Sequence, residues 1–204
     1  MVQISDRPTK LSVSFEQYVS GQFECPWSDC VWVDGEIVEV APESGRNNRI
    51  AQFLSVEFTL HSRTQKLGLG ICHKDTDIEV NSTKHQTRKP DVMVCSRTLT
   101  ALLDDRSSVV LKSMGPPLII VEVISKNYRN VDLVEKVKEY ADRAVPEYWT
   151  VDWDRSDPLI IVRDFAPQTK QYVEQGYRPG DTVVSKILPG LKLTVDGILK
   201  AENL

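Results

Sequence analysis

The chain has 204 residues, 41% of them hydrophobic and 26% charged. That length can bury one sizeable core, and that composition is ordinary for a soluble globular domain. Its 25 basic and 29 acidic residues leave a net charge of 25 − 29 = −4, which argues against binding nucleic acid or anionic membrane through bulk charge but leaves room for a local basic cleft. No apolar run approaches the roughly 20 residues of a membrane span. The first residues lack the apolar core of a signal peptide. The reading is a single cytoplasmic domain over 1–204, with residues 1–11 as a loose tail. The four cysteines, Cys25, Cys30, Cys72 and Cys95, contain no CxxC pair and, with His73, fit no compact zinc spacing. Reduced thiols in a reducing compartment are expected.

In chain order, Ser14 to Gln17 resembles a capping box and predicts a short helix to about Gly21. Val31 to Val40 alternates on either side of Asp34-Gly35, which predicts a hairpin with a primed turn. After a loop at Pro42 to Gly45, Ile50, Phe53, Leu54, Glu57, Phe58 and His61 keep helical spacing, and Gly68 and Gly70 end that long helix. Leu69 to His73 and Thr76 to Val80 read as strands around a short polar turn. Lys84, His85, Arg88 and Lys89 form a basic patch, either a solvated turn or a phosphate contact beside Asp91. Pro90 to Cys95 reads as a strand with proline at its first position, where no ladder donor is needed. A polar excursion with one helical turn around Ala101 to Leu103 leads to Pro116-Pro117.

Leu118 to Ile124 is nearly all apolar and β-branched, the pattern of a strand covered on both faces in mid-sheet. Glu122 interrupts it, and a buried carboxylate is costly unless paired. Asn130 then reads as the N-cap of an amphipathic helix carrying Leu133, Val137, Tyr140, Ala141 and Ala144. Glu147 to Asp152 is strand-like, Leu159 to Phe165 and Gln171 to Glu174 read as an antiparallel pair, and Leu188 to Leu191 precedes a short C-terminal strand or turn. The expected fold is α/β: a mixed, twisted sheet flanked by the two helices, with an N-terminal β-hairpin and a C-terminal β-meander.

Strand alternation puts Leu118, Ile120, Glu122 and Ile124 on one face, and Asp91, Met93 and Cys95 on one face of the preceding strand. If the strands are neighbours, Asp91 and Glu122 converge. Two close carboxylates repel unless a cation lies between them, and hard oxygen ligands suit Mg²⁺ or Mn²⁺. Taken singly, each residue has a plainer reading. Asp91 could be a strand-start acid bonded to nearby backbone, Glu122 a structural acid paired with a base, and Lys136 a solvated helix residue. Tyr148 and Trp149 alternate within a strand and read as core rather than as a base-stacking platform.

Asp34-Gly35-Glu36, Pro90-Asp91-Val92, Glu122-Val123-Ile124-Ser125, Lys136 with Tyr140, Glu147-Tyr148-Trp149 and Leu188-Pro189-Gly190-Leu191 follow one another over nearly the whole chain. This ordered set resembles the Uma-two family, restriction-endonuclease-like proteins of the PD-(D/E)xK nuclease superfamily. The resemblance implies one nuclease-like domain, with Asp91, Glu122 and the Val123 carbonyl as metal ligands. The superfamily's lysine normally lies two residues after the acid, where this chain has Ile124. Lys136 on the following helix takes that place, to orient the attacking water or stabilise charge on the phosphate, and Lys126 is the runner-up. Lys84, Arg88, Lys89 and Lys126 are the candidate DNA contacts. Glu57 and, behind it, Asp77 are candidate supporting acids. Where the family commonly carries a histidine near the start of the long helix, this chain has Asn47. The implied activity is a Mg²⁺- or Mn²⁺-dependent DNA endonuclease working as a homodimer. The alternative is an inactive nuclease-fold module for DNA binding or protein assembly.

Overall fold

The computed structural model describes residues 10–40, 42–81, 86–104, 109–125, 129–154 and 156–201. From the N-terminus the elements are β1 (Lys10–Ser12), α1 (Phe15–Val19), β2 (Cys30–Val33), β3 (Glu36–Glu39), α2 (Gly45–Thr64), β4 (Gly70–Cys72), β5 (Asp77–Asn81), β6 (Gln86–Arg88) and β7 (Val92–Cys95). They continue with α3 (Arg97–Leu103), β8 (Val109–Val110) and β9 (Ile119–Val123). A π-helical stretch (Val131–Glu135) then runs into α4 (Lys136–Asp142). The chain closes with β10 (Glu147–Asp152), β11 (Leu159–Ala166), β12 (Gln171–Tyr177), β13 (Thr182–Val183), β14 (Leu193–Thr194) and α5 (Val195–Leu199).

Among the described residues the strands make two six-stranded sheets and one two-stranded pair. The central sheet runs β12-β11-β10-β9-β7-β4. Its β9–β10 pair is parallel and is bridged by the π stretch and α4, and its other pairs are antiparallel. This is the mixed α/β architecture read from the sequence. The second sheet, β1-β3-β2-β6-β5-β8, grows from the predicted hairpin. Asp34 and Gly35 both have positive φ, 52° and 89°, as a primed turn demands.

Two core layers cover the faces of the central sheet. On one, Ile50, Leu54 and Phe58 of α2 and Ile198 of α5 pack on Val92, Val94, Ile119, Val121, Val123 and Trp149. On the other, Tyr140 of α4 joins Ile78, Val80, Met93, Cys95, Ile120 and Tyr148. Alternate residues of β7 and β9 therefore divide between the layers as period-two patterning requires. Leu118, just before β9, packs with the α2 layer instead of on the Glu122 face.

Local chemistry explains the helix starts. Ser14 and Gln17 form the predicted reciprocal box, with Gln17 N donating to Ser14 Oγ at 3.1 Å and Ser14 N to Gln17 Oε1 at 3.0 Å. Ser44 caps α2 by accepting from Asn47 N at 3.1 Å. Elsewhere tertiary structure differs from the local expectation. Lys10 and Leu11, placed in the tail, pair with Val38 and Ile37 of β3, while 1–9 lie outside the described residues. β4 and β5 do not form a hairpin, because each joins a different sheet. Asn130 is already helical, at φ −66° and ψ −37°, and makes no side-chain cap. The helical turn near Ala101 is a full helix, α3, and a helix, α5, follows the last short strand.

Candidate functional site

The register of β7 on β9 pairs Val92 with Val121 and Met93 with Ile120. One step further along both strands sets Asp91 against Glu122, on the sheet face turned towards α4. Both acids are buried, each 3% exposed. Asp91 Oδ2 accepts from the Val123 amide at 2.6 Å. Glu122 Oε1 accepts from the Tyr140 hydroxyl at 2.6 Å, and Lys136 Nζ lies 2.9 Å from its Oε2. Lys136 is held in turn by Asp132 Oδ1 at 2.8 Å. Two adjacent strands and the helix after them thus bring Asp91, Glu122 and Lys136 to one place. They line a cavity of about 440 Å³ with Arg88, Lys89 and Asp132.

The electrostatics of the site favour a cation. Burial pushes the Glu122 carboxyl up to about 8; Lys136 opposes this, and the charges of Asp132 and Asp91 add to it. Burial likewise raises Asp132 against the pull of Lys136. Burial would lower the Lys136 ammonium, but Glu122 and Asp132 hold it above its usual value.

Four further residues belong to the cluster and were not singled out as site residues from the sequence. Asp132 anchors Lys136 from one turn earlier. Lys74, on the turn after β4, contacts Glu43 and lies 2.9 Å from Asp91 Oδ1. Glu43 stands just before α2 and also lines the cavity. Asn47, 1% exposed, donates from Nδ2 to the Val123 carbonyl at 3.1 Å and accepts from Trp153 Nε1 at 2.7 Å. Asp132 carried a local signal, its four-residue spacing from Lys136, and Asn47 stood where the family commonly carries a histidine. Glu43 and Lys74 arrive from loops whose meeting no local pattern encodes.

A sequence model of the Uma2 family, described as "Putative restriction endonuclease", matches residues 15–196. The chain belongs to the Uma2 family. Among solved structures, it is similar to a protein from Anabaena variabilis described as a putative nuclease belonging to DUF820. The TM-score is 0.66 at 12% identity, covering 84% of this chain and 90% of that one, which is a likeness of fold. A comparison with curated proteins gave no match.

Within this Uma2 chain, the basic residues read as DNA contacts have other engagements. Arg88 Nε and Nη2 each lie 2.8 Å from the Glu139 carboxylate, and Arg88 is 3.5 Å from Glu135. Lys89 pairs with Asp29 and lies 3.8 Å from Asp77. Lys84 and Lys126 lie outside the described residues. Glu57 does not line the cavity. Asp77 lines a neighbouring recess with Tyr18, Cys25 and Lys89, the last of which also borders the Asp91 cavity. The cysteines are free and interact as Cys25 with Cys30 and Cys72 with Cys95.

Among the described residues, no three His, Cys, Asp or Glu side chains converge as a ready-made metal cluster. The donor set in question is instead two carboxylates and a backbone carbonyl. Asp91, Glu122 and Val123 fit a hard divalent cation in kind, since each oxygen that accepts one protein hydrogen bond keeps a second lone pair. The charges nearest these oxygens are mixed: Glu43 and Asp132 add acids, Lys74 and Lys136 contact them directly, and Arg88 and Lys89 stand on the same cavity wall.

Proposed function

We propose that this Uma2 protein is a divalent-metal-dependent endonuclease that hydrolyses phosphodiester bonds in DNA. The observation that carries the proposal is the convergence of Asp91, Glu122 and Lys136 on one cavity, with Lys136 Nζ 2.9 Å from Glu122 Oε2. Asp91, Glu122 and the Val123 carbonyl would hold Mg²⁺ or Mn²⁺, which supplies polarisation of a phosphoryl oxygen and acidification of water. The Val123 amide fixes Asp91 and the Tyr140 hydroxyl fixes Glu122, so neither carboxylate has to be ordered when substrate arrives. Lys136, oriented by Asp132, would place its N–H groups towards the attacking water or the phosphate charge. Arg88 and Lys89, on the cavity wall, would meet backbone phosphates by sharing or leaving their present acid partners. DNA as substrate accords with the family's description. A homodimer would let each subunit cut one strand and would concentrate the few basic groups of an acidic chain in a single cleft.

Supercoiled plasmid incubated with the protein and Mg²⁺ or Mn²⁺ tests this. Nicking should fall by about 100-fold or more in Asp91→Ala and Glu122→Ala, and equal nicking by wild type and both variants would refute it. A second reading, a binding or assembly module on the same fold, draws on one observation: Lys74 and Lys136 already neutralise Asp91 and Glu122. It predicts no nicking by any of these proteins and no binding of divalent ions at millimolar concentration.

A further inference from the structure

Lys74 sits on the turn between β4 and β5 with φ 56°, and its ammonium reaches out of that turn to three acceptors. Nζ meets Glu43, Asn48 Oδ1 at 2.6 Å and Asp91 Oδ1 at 2.9 Å, so its three donors have three acceptors. Of these acceptors Asp91 is the proposed metal ligand, and Glu43 stands beside it on the same cavity. Asp91 Oδ2 is committed to the Val123 amide, which leaves Oδ1 as the less constrained oxygen, and Oδ1 is the atom that Lys74 holds.

We propose that Lys74 is a tethered competitor for the divalent cation at Asp91. The inference rests on the metal reading given under Proposed function. A cation and an ammonium cannot both take the inner lone pairs of Oδ1 without strong repulsion at close range, so metal binding displaces Lys74 from Asp91. The ammonium has a place to go. Glu43 and Asn48, on the loop before α2 and on its first turn, line a recess of about 140 Å³ that adjoins Asp91. They keep two of the three contacts when the third is lost. Lys136 differs in that its second partner, Asp132, lies on its own helical segment and lines the same cavity, so it stays at the site. Lys74 thereby sets the metal affinity of the site. It neutralises Asp91 in the metal-free protein and exacts a displacement from any ion that binds. Lys74 acts on the ion through Asp91 and is a positioning residue.

The test is a Mn²⁺ titration of the full chain, followed by calorimetry and by the electron paramagnetic resonance signal of free Mn²⁺. Lys74→Met should tighten Mn²⁺ binding by ~10-fold or more, and Lys74→Arg, which keeps the charge, should stay near wild type. Glu43→Gln should weaken binding more in the wild-type background than in Lys74→Met, because only a lysine left with Asp91 as its main counter-ion competes harder for it. Asp91→Asn should abolish binding in every background. A merely structural lysine would give weaker binding on removal. Asp91-dependent binding that is unchanged or weaker in Lys74→Met overturns the competitor role while leaving the metal site standing. No binding by any variant at millimolar Mn²⁺ overturns the metal reading and this inference with it. The rise in melting temperature caused by Mn²⁺ supplies a second measurement, and Lys74→Gln a second variant if the methionine protein does not fold.

Discussion

Asp77 offers a quantitative check on which acids serve the fold and which serve the site. It starts β5, is 3% exposed, accepts a hydrogen bond from the Tyr18 hydroxyl and lies 3.8 Å from Lys89. Burial drives its carboxyl from 3.8 up to about 6, and Lys89 only partly offsets this. Because the folded value is the higher, the folded protein keeps a proton that the unfolded chain has already released. The group's contribution to stability is complete below pH 4 and disappears as pH rises through about 6. At ~1.4 kcal/mol per decade of proton affinity the loss amounts to about 3 kcal/mol. Asp77→Asn removes the titration and keeps a side-chain oxygen for Tyr18. In urea unfolding across pH 4 to 8, the stability of the variant relative to wild type should climb by about 3 kcal/mol towards the alkaline end. Nicking should fall far less than in Asp91→Ala, since Asp77 does not line the Asp91 cavity and meets it only through Lys89. Parallel stability profiles for the two proteins would refute the claim that Asp77 is held at the expense of folding.

Asn47→Ala should destabilise the protein by about 1–3 kcal/mol, because it strands the Val123 carbonyl and the Trp153 indole N–H. Denaturant unfolding checks this, and a plasmid assay should show a loss of nicking beyond the loss of folded protein. Gly70→Ala should cost about 1–3 kcal/mol by overpacking, because a Cβ there would overlap the Thr100 side chain of α3. A fall in melting temperature with Mn²⁺ affinity retained is the expected pair of results.

The parts legible in the sequence were those encoded over a few residues. Asp34-Gly35 announced its hairpin, Ile50 to His61 its helix, and Leu118 to Ile124 a doubly covered strand. Period-two alternation put Asp91 and Glu122 on faces that could meet, and the register of Val92 on Val121 brings them together. What escaped depends on partners remote in sequence. Leu69 to Val80 reads as two strands around a turn, yet nothing local says that the second strand leaves for another sheet. Lys74 lies on the turn between the two sheets, where it meets Glu43 and Asp91. Asn130 has good capping chemistry, but the chain is already helical there. Asn47 read as a gap in the family pattern, and the structure fills it with two hydrogen bonds that tie the start of α2 to the end of β9 and to Trp153.

The π-helical stretch links the packing of α4 to the chemistry of the site. The Lys136 amide donates to the Val131 carbonyl, five residues back, where an α-helix would reach four. Downstream the helix is regular, so Lys136 and Tyr140 lie one turn apart on the same side and grip the two oxygens of Glu122 separately. Upstream, Asp132 still closes on Lys136 from across the widened turn. Such widened turns recur where function places a side chain that regular helix geometry would misdirect. Here the consequence is mechanical as well as chemical. A fully satisfied buried polar network specifies one arrangement more sharply than apolar contacts do. α4 is thus seated on the central sheet both by the grip on Glu122 and by Tyr140 packing against Tyr148, and the site lies on the parallel β9–β10 crossover.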